Sequence, residues 1–363
     1  MSDKDSPRNR PVVLRPDNFT PPERTPWGGE RILASYKDGL RLEASGVVGE
    51  SWEVSVEPDF PAVVDGAASE APSLEGAPLA DVIARDPAGW LGAEAALGGS
   101  PLLVKLLDAA TPLSVQIHPA DDDPALGPGE SGKPESWLVV EADEGAGLYL
   151  GLQPGVDEGS MRRAIEAGDD VSALLPFVPV APGDFFLIEA GTPHAIGGGV
   201  TLVEPQRVLP GKRGLTYRYW DWNRRYDEQG QPDEAGDPRE LHVDAALRVT
   251  RWSLARGDAL LPEVRVRSGA PALEEPATLQ RLCGPTDAAL TSETLEVGVL
   301  AGTGPLILGA SEGFRALTVI AGALTIDGLR LERGRSAALP ADRAHQLQLD
   351  RAWGVVSRAM AGS

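Results

Sequence analysis

"PLSVQIHPADDD", residues 112–123, ends an apolar run by setting a glutamine and a histidine two positions apart, then breaks into proline and acid. In a β-strand, residues i and i+2 point to the same face. Gln116 and His118 therefore share one side of a strand, and both side chains are capable metal ligands. The reading of the chain turns on whether later segments supply partners for them.

Two later residues qualify. Glu135 opens the strand-like run "ESWLVVEA" after a loop, "ADDDPALGPGESGKP", spanning 120–134. His194 sits at the turn of "GDFFLIEAGTPHAIGGGVTLVEPQ" (183–206), which alternates as strand, Gly-Thr-Pro turn and second strand. Two neutral imidazoles, one carboxylate and one amide oxygen suit Zn²⁺, with waters completing the shell. A single carboxylate leaves the ion net positive and useful as a Lewis acid. Each residue alone has a plain structural explanation: a polar pair at a sheet edge, a turn-stabilising histidine, a glutamate at a strand start. The chain has only four histidines, however, and two of them stand at strand–turn junctions of one segment. His242 in "RELHVDAAL" reads as a helix-start residue, His345 lacks a Q-x-H or H-x-H partner, and Cys283 reads as a small buried hydrophobe.

The surrounding sequence is turn-rich. The 363 residues include 42 glycines and 32 prolines, which favours β architecture over long helices. Residues 1–22 read as a flexible arm and 23–255 as a catalytic unit. Residues 256–363, after a composition shift near 255–265, read as a second unit of short alternating runs. Helices are expected at 79–92, at 155–177 (one or two) and at 239–250. Gly183 precedes His194 by eleven residues, and Gly334 precedes His345 by the same interval, which suggests two copies of one β-barrel unit. The second copy is expected to be structural and metal-free.

Composition limits the partners. A net charge of −21 argues against nucleic acid and anionic membranes, while leaving room for a local basic pocket. The polar N-terminus and the lack of a membrane-length apolar run place the chain in the cytoplasm. One cysteine excludes an internal disulfide. Oligomeric state is not written in the sequence, and a monomer is the expectation. Basic residues lie near the candidate ligands: Lys105, Lys133 and the run "LPGKRGLTYRYWDWNRR" (209–225). The aromatics of that run, at 217, 219, 220 and 222, are candidates to wall a sugar-sized pocket, or else to pack a core face.

The order of "PWGGERI", "GESWEVS", "PLLVKLLDAATPLSVQIHPADDD", "GKPESWLVV", "GDFFLIEAGTPHAIGGGVTLVEPQ", "TYRYWDWNR" and "RELHVDAAL" resembles type I mannose-6-phosphate isomerases, most of all the short bacterial form. The resemblance covers about residues 22–255. It implies a mainly β protein, a pair of cupin-type jelly-roll barrels with helical insertions. It implies one zinc ion on Gln116, His118, Glu135 and His194, and interconversion of mannose 6-phosphate and fructose 6-phosphate through an enediolate. By the same resemblance Arg218 falls on the active-site arginine, Lys133 on the lysine of a K-P-E motif, and Ser114 on the serine before the glutamine ligand. The proton-carrying base is left open between Lys133 and a metal-bound water. The competing readings are an isomerase of another sugar phosphate, a sugar-phosphate-binding regulator without turnover, and an iron cupin oxygenase, which the glutamine ligand disfavours.

Overall fold

The computed structural model describes residues 9–40, 42, 46–341 and 343–361. Three strands frame the first barrel: Leu102–Ala109, Glu135–Ala142 and Val200–Arg207. They lie side by side in a six-stranded sheet, in the order Arg265–Arg267, Asp184–Ile188, Glu135–Ala142, Val200–Arg207, Leu102–Ala109, Glu50–Val54. A five-stranded sheet opposes it, ordered Tyr217–Trp220, Val115–Ile117, His194–Ile196, Gly147–Leu150, Phe177–Pro179. The two share a core of Leu107, Trp137, Val139, Phe186, Leu148, Leu150 and Ile196.

Alternation along the three framing strands explains where the polar groups go. Leu107 and Ala109, Trp137 and Val139, and Leu202 and Val200 face this core. Lys105, Glu135, Glu204 and Gln206 have the same parity, so they point into the same interior at its other end. The barrel is apolar at one mouth and polar at the other. On the outer side of the five-stranded sheet, Val115, Ile117, Ala195 and Tyr219 pack against Met161, Ile165 and Leu247 of helices Glu158–Ala167 and Val243–Val249. This face holds the short strand Val115–Ile117 in place and turns Gln116 inward.

The expected helix at 79–92 divides into Leu79–Arg85 and Pro87–Leu91, because Pro87 cannot continue the first and Asp86 caps the second through the Gly89 amide. The segment 155–177 forms the helix Glu158–Ala167 and a 3₁₀ turn, Val171–Leu174. The helix expected over 239–250 is Val243–Val249.

The second barrel is an eight-stranded sheet. Its strands run Val12–Val13, Ser336–Leu339, Arg315–Ile326, His345–Ala359, Leu295–Leu308, Thr278–Gly284 and Leu290–Thr291 in order, with Leu329–Glu332 paired to Arg315–Ile326. Its interior holds Leu300, Leu317, Val319, Leu331, Leu347 and Leu349. Two expectations are corrected here. Residues 1–8 of the expected arm lie outside the described residues, but Val12 and Val13 pair with Ala338 and Ala337 and are buried. Their alternating apolar side chains complete the far sheet, so this stretch is no arm. The expected break at 255 also comes too early: Arg265–Arg267 pairs with Asp184–Ile188 of the first barrel, and the second sheet's strands resume at Thr278.

A buried ion pair on the first barrel is tied by hydrogen bonds to Gly334 and Ser336 of the second. Lys37 Nζ lies 2.6 Å from Glu53 Oε1, with side-chain exposures of 0% and 2%, and Ser336 Oγ donates to Glu53 Oε2 at 2.9 Å. Removing one partner from a dry pair leaves the other charge uncompensated. Glu53→Gln is expected to lower the unfolding free energy by about 3–5 kcal/mol, read from urea denaturation; a loss within experimental error would mean that the pair contributes nothing net.

Candidate functional site

Strand register assembles the polar mouth. Gln116 pairs across the sheet with Arg218 on one side and with His194 on the other, so the three stand in one row. In the opposing sheet Gln206 pairs with Glu135 and Glu204 with Lys105. His118, one residue beyond the end of its strand, lies on the Gln116 side and meets both Glu135 and His194.

His118, Glu135 and His194 are buried, and one ligand atom from each lies within 4.8 Å of the others. His118 Nε2 is 3.2 Å from Glu135 Oε2, and His194 Nε2 is 3.4 Å from Glu135 Oε1. The Gln116 side-chain amide comes within 3.4 Å of His194 Nε2. Backbone carbonyls fix both imidazoles. His118 Nδ1 lies 3.0 Å from Leu215 O, and His194 Nδ1 lies 2.8 Å from Thr192 O. A carbonyl can only accept, so Nδ1 carries the proton on each ring and each Nε2 presents a lone pair. Burial pushes His194 down to about 3 and, with the Lys133 charge, lowers His118 as well. Burial works against a charge on Glu135, but His118 and Lys133 outweigh it, and the carboxyl stays well below its ordinary value. Two lone pairs and a carboxylate therefore face one another without a shared proton. Among the described residues His118 Nε2 and Glu135 Oε1 find no hydrogen-bond donor. A divalent cation fits this donor set, since it satisfies all of these acceptors at once.

The supporting contacts hold the carboxylate in aim. Gln206 Nε2 donates to Glu135 Oε2 at 2.7 Å, and Lys133 Nζ stands 3.5 Å from the same oxygen. Trp137 meets the His194 ring edge-on, with centroids 5.3 Å apart. Such outer contacts orient metal ligands and set their basicity.

Small-molecule clefts measure about 300–1,000 Å³; the one beside Gln116 measures 410 Å³ and is lined by Ser114, Lys105, Lys133, Arg218, Glu204 and Trp52 among others. Ser114 Oγ donates to Gln116 Oε1 at 3.4 Å. The Arg218 guanidinium donates to Glu240 O at 2.7 Å, and burial, then the Arg239 charge, lowers it to about 10. Lys105 lies between Glu50 (3.8 Å) and Glu204 (3.7 Å), over the Trp52 ring. Burial and the neighbouring Glu135 push Glu204 up to about 8, while Trp137 Nε1 donates to its Oε1 at 3.0 Å.

The structure thus brings all seven sequence-derived residues to one mouth. Of the two readings open for the aromatics at 217, 219, 220 and 222, the structure takes the core face: all four pack with the core under the helices, Tyr217 and Tyr219 because Arg218 takes the cleft side, and Trp220 after a register shift in the strand. The cleft aromatics are Trp27 and Trp52. Arg225 also lies elsewhere, donating to Gly236 O. Glu204 and Gln206 escaped the sequence reading, though "VEPQ" sets two polar side chains at i and i+2, as "VQIH" does. His345 is buried against Asp327, with Nδ1 to Oδ2 at 2.8 Å, and no second His/Cys/Asp/Glu metal cluster occurs among the described residues. Nor is any described helix long and apolar enough to cross a membrane.

A pair of antiparallel β-barrels with a His–Glu–His cluster in the mouth of the first defines a cupin-fold protein with a candidate metal centre. Part of the chain is similar in sequence to bacterial mannose-6-phosphate isomerases. It is 34% identical over 223 residues to the enzyme of that name from Streptococcus mutans, a match covering 61% of this chain and 63% of the relative. It is 37% identical over 150 residues to one from Bacillus subtilis, covering 41% and 44%. The matched part thus spans less than two thirds of the first relative's length and less than half of the second's. No family model matches the chain. The fold extends further than the sequence match. The crystal structure of a Bacillus subtilis mannose 6-phosphate isomerase superposes with a TM-score of 0.71 over 96% of this chain and 100% of that one, at 23% identity. A mannose 6-phosphate isomerase bound with zinc and yttrium gives 0.64 over 96% and 99%, at 16% identity.

Chelator-stripped protein is expected to take up one divalent ion per chain by calorimetric titration. Substituting even an outer partner of a metal ligand typically costs 10–100-fold in affinity, so His194→Ala should cost more than about 100-fold. Undiminished affinity in that variant would mean that the three groups do not form the site.

Proposed function

We propose that the chain is a zinc-dependent aldose–ketose isomerase that interconverts mannose 6-phosphate and fructose 6-phosphate. The observation that carries this reading is the row Arg218–Gln116–His194, which sets a fixed cation beside the metal-type cluster at the floor of an open cleft. The names of the relatives support the substrate. Gln116, His118, Glu135 and His194 would hold the ion. Bound there, zinc would supply positive charge beside the sugar oxygens as an enediolate develops.

The reaction removes a proton from C2 of the aldose and returns one to C1, while the hydroxyl proton passes from O2 to O1. Charge builds on the two oxygens only near the transition state, so groups aimed there accelerate the step rather than merely tighten binding. Arg218 is such a group: its hydrogen bond to Glu240 O fixes the guanidinium, and at about 10 it stays protonated near neutral pH. Lys133 and Ser114 line the same floor and anchor the substrate. Glu204, pushed up to about 8, is a carboxyl that can both take and give a proton near neutrality, which makes it an alternative to Lys133 as the proton carrier. Phosphate would meet Arg24, Arg213 and Arg239 nearer the rim, where arginine gives planar, charged donors. A phosphorylated sugar as partner fits a cytoplasmic, monomeric enzyme.

Conversion of mannose 6-phosphate to fructose 6-phosphate in a coupled assay should vanish with chelator and return with zinc. Arg218→Ala should reduce kcat with metal content unchanged, and Glu204→Gln should reduce it by about 10²–10⁴-fold if it carries the proton. A folded, zinc-loaded protein without turnover on this pair would favour a sugar-phosphate-binding role, and zinc loss in Arg218→Ala would make that residue structural.

A further inference from the structure

The second barrel has its own cavity, of about 360 Å³, which shares no lining residue with the cleft of the first. Three arginines line it, Arg281, Arg315 and Arg358, together with two carboxylates, Glu296 and Glu312. The charge balance of the arginines differs. Arg358 is held by Glu94, with Nε to Oε1 at 2.9 Å, and lies 3.8 Å from Glu296. Arg281 is exposed at the rim. Arg315 is 7% exposed, yet among the described residues it forms no ion pair with a carboxylate. Its guanidinium donates only to Gly309 O (2.8 Å) and Arg343 O (3.3 Å), and its Nε is buried without a partner.

Strand register makes the imbalance worse. Ala316 pairs with Ser357, which sets Arg315 beside Arg358 on adjacent strands. Like charges placed so repel. Glu296 pairs with Arg358 in register and is the nearby counter-charge to Arg315, but it offsets only part of the cost of burial. A buried guanidinium compensated only in part, its Nε without a partner among the described residues, and a second arginine at the rim are complementary to one kind of ligand, a small oxyanion. Leu279, Val297 and Leu308 supply an apolar wall beside them, and the volume exceeds that of a bare anion.

We propose that this cavity is an anion site for phosphate chemistry, either free phosphate or a small phosphate monoester, with Arg315 as the buried anchor and Arg281 as a further donor. The site is separate from the metal-type cluster and does not depend on turnover there.

Hydrogen–deuterium exchange on the full chain tests it, with inorganic phosphate and glycerol 3-phosphate titrated separately at constant ionic strength. Saturable slowing of exchange at 309–315 and 356–358 is expected. Arg315→Met should weaken it at least tenfold while leaving any phosphate effect at 113–118 and 204–218 in place. Arg281→Ala, at the surface, should fold normally and weaken it several-fold, which keeps the test decisive if Arg315→Met does not fold. Tighter protection by glycerol 3-phosphate assigns the site to monoesters, and equal protection assigns it to free phosphate. No slowing at these segments with either probe, or slowing that Arg281→Ala and a folded Arg315→Met both leave unchanged, overturns the proposal.

Discussion

A fully buried carboxylate set between two imidazole lone pairs is the constraint around which the first barrel is organised. Glu135 is 0% exposed and meets His118 Nε2 and His194 Nε2 at 3.2 and 3.4 Å. With both rings proton-locked at Nδ1 by backbone carbonyls, the donors that face these acceptors among the described residues are Lys133 and the Gln206 and Gln116 amides. Buried charge is tolerated only when paired or metal-bound. The surrounding structure concentrates cost at this point, and a bound cation relieves it. This is why the barrel's interior is apolar at one mouth only: the apolar half supplies the stability on which the polar half draws.

The second barrel repeats the architecture without the cluster. The interval from glycine to histidine is the same, but His345 turns to Asp327 and to the Pro340 carbonyl. Its interior is filled by leucine, valine and isoleucine instead. It also takes up the chain's own N-terminal strand, Val12–Val13, so the first barrel's leading segment is fastened on the second. Together with the Lys37–Glu53–Ser336 contact, this makes the pair mechanically one piece. The cleft floor is consequently built on rigid strands rather than on loops, and ligand atoms held to a fraction of an ångström need such a base.

Much of the site was legible in order along the chain. Gln116 and His118 announce themselves by i, i+2 spacing, and Glu135 and His194 by their places at strand starts. The same spacing in Glu204 and Gln206 was equally present, but the run by itself does not say that these side chains stand opposite Lys105 and Glu135. The aromatics after Arg213 stayed open between cleft wall and core because the sequence does not say which face of that strand turns to the cleft. Once Arg218 is paired with Gln116, Tyr219 must face the helices. Val12–Val13 could not be assigned at all, since two apolar residues after a polar stretch carry no sign of a partner strand over three hundred positions away.

The sequence by itself determined the β class, the ligand types and the clustering of basic residues, because these depend on local alternation and on side-chain chemistry. Tertiary structure decided which residues meet. Antiparallel register placed Arg218, Gln116 and His194 in one row and Gln206 beside Glu135, and it set Arg315 next to Arg358 in the other barrel. Register is a long-range property: a shift of one residue reverses every side chain, and only the packing of both faces against their own cores fixes it.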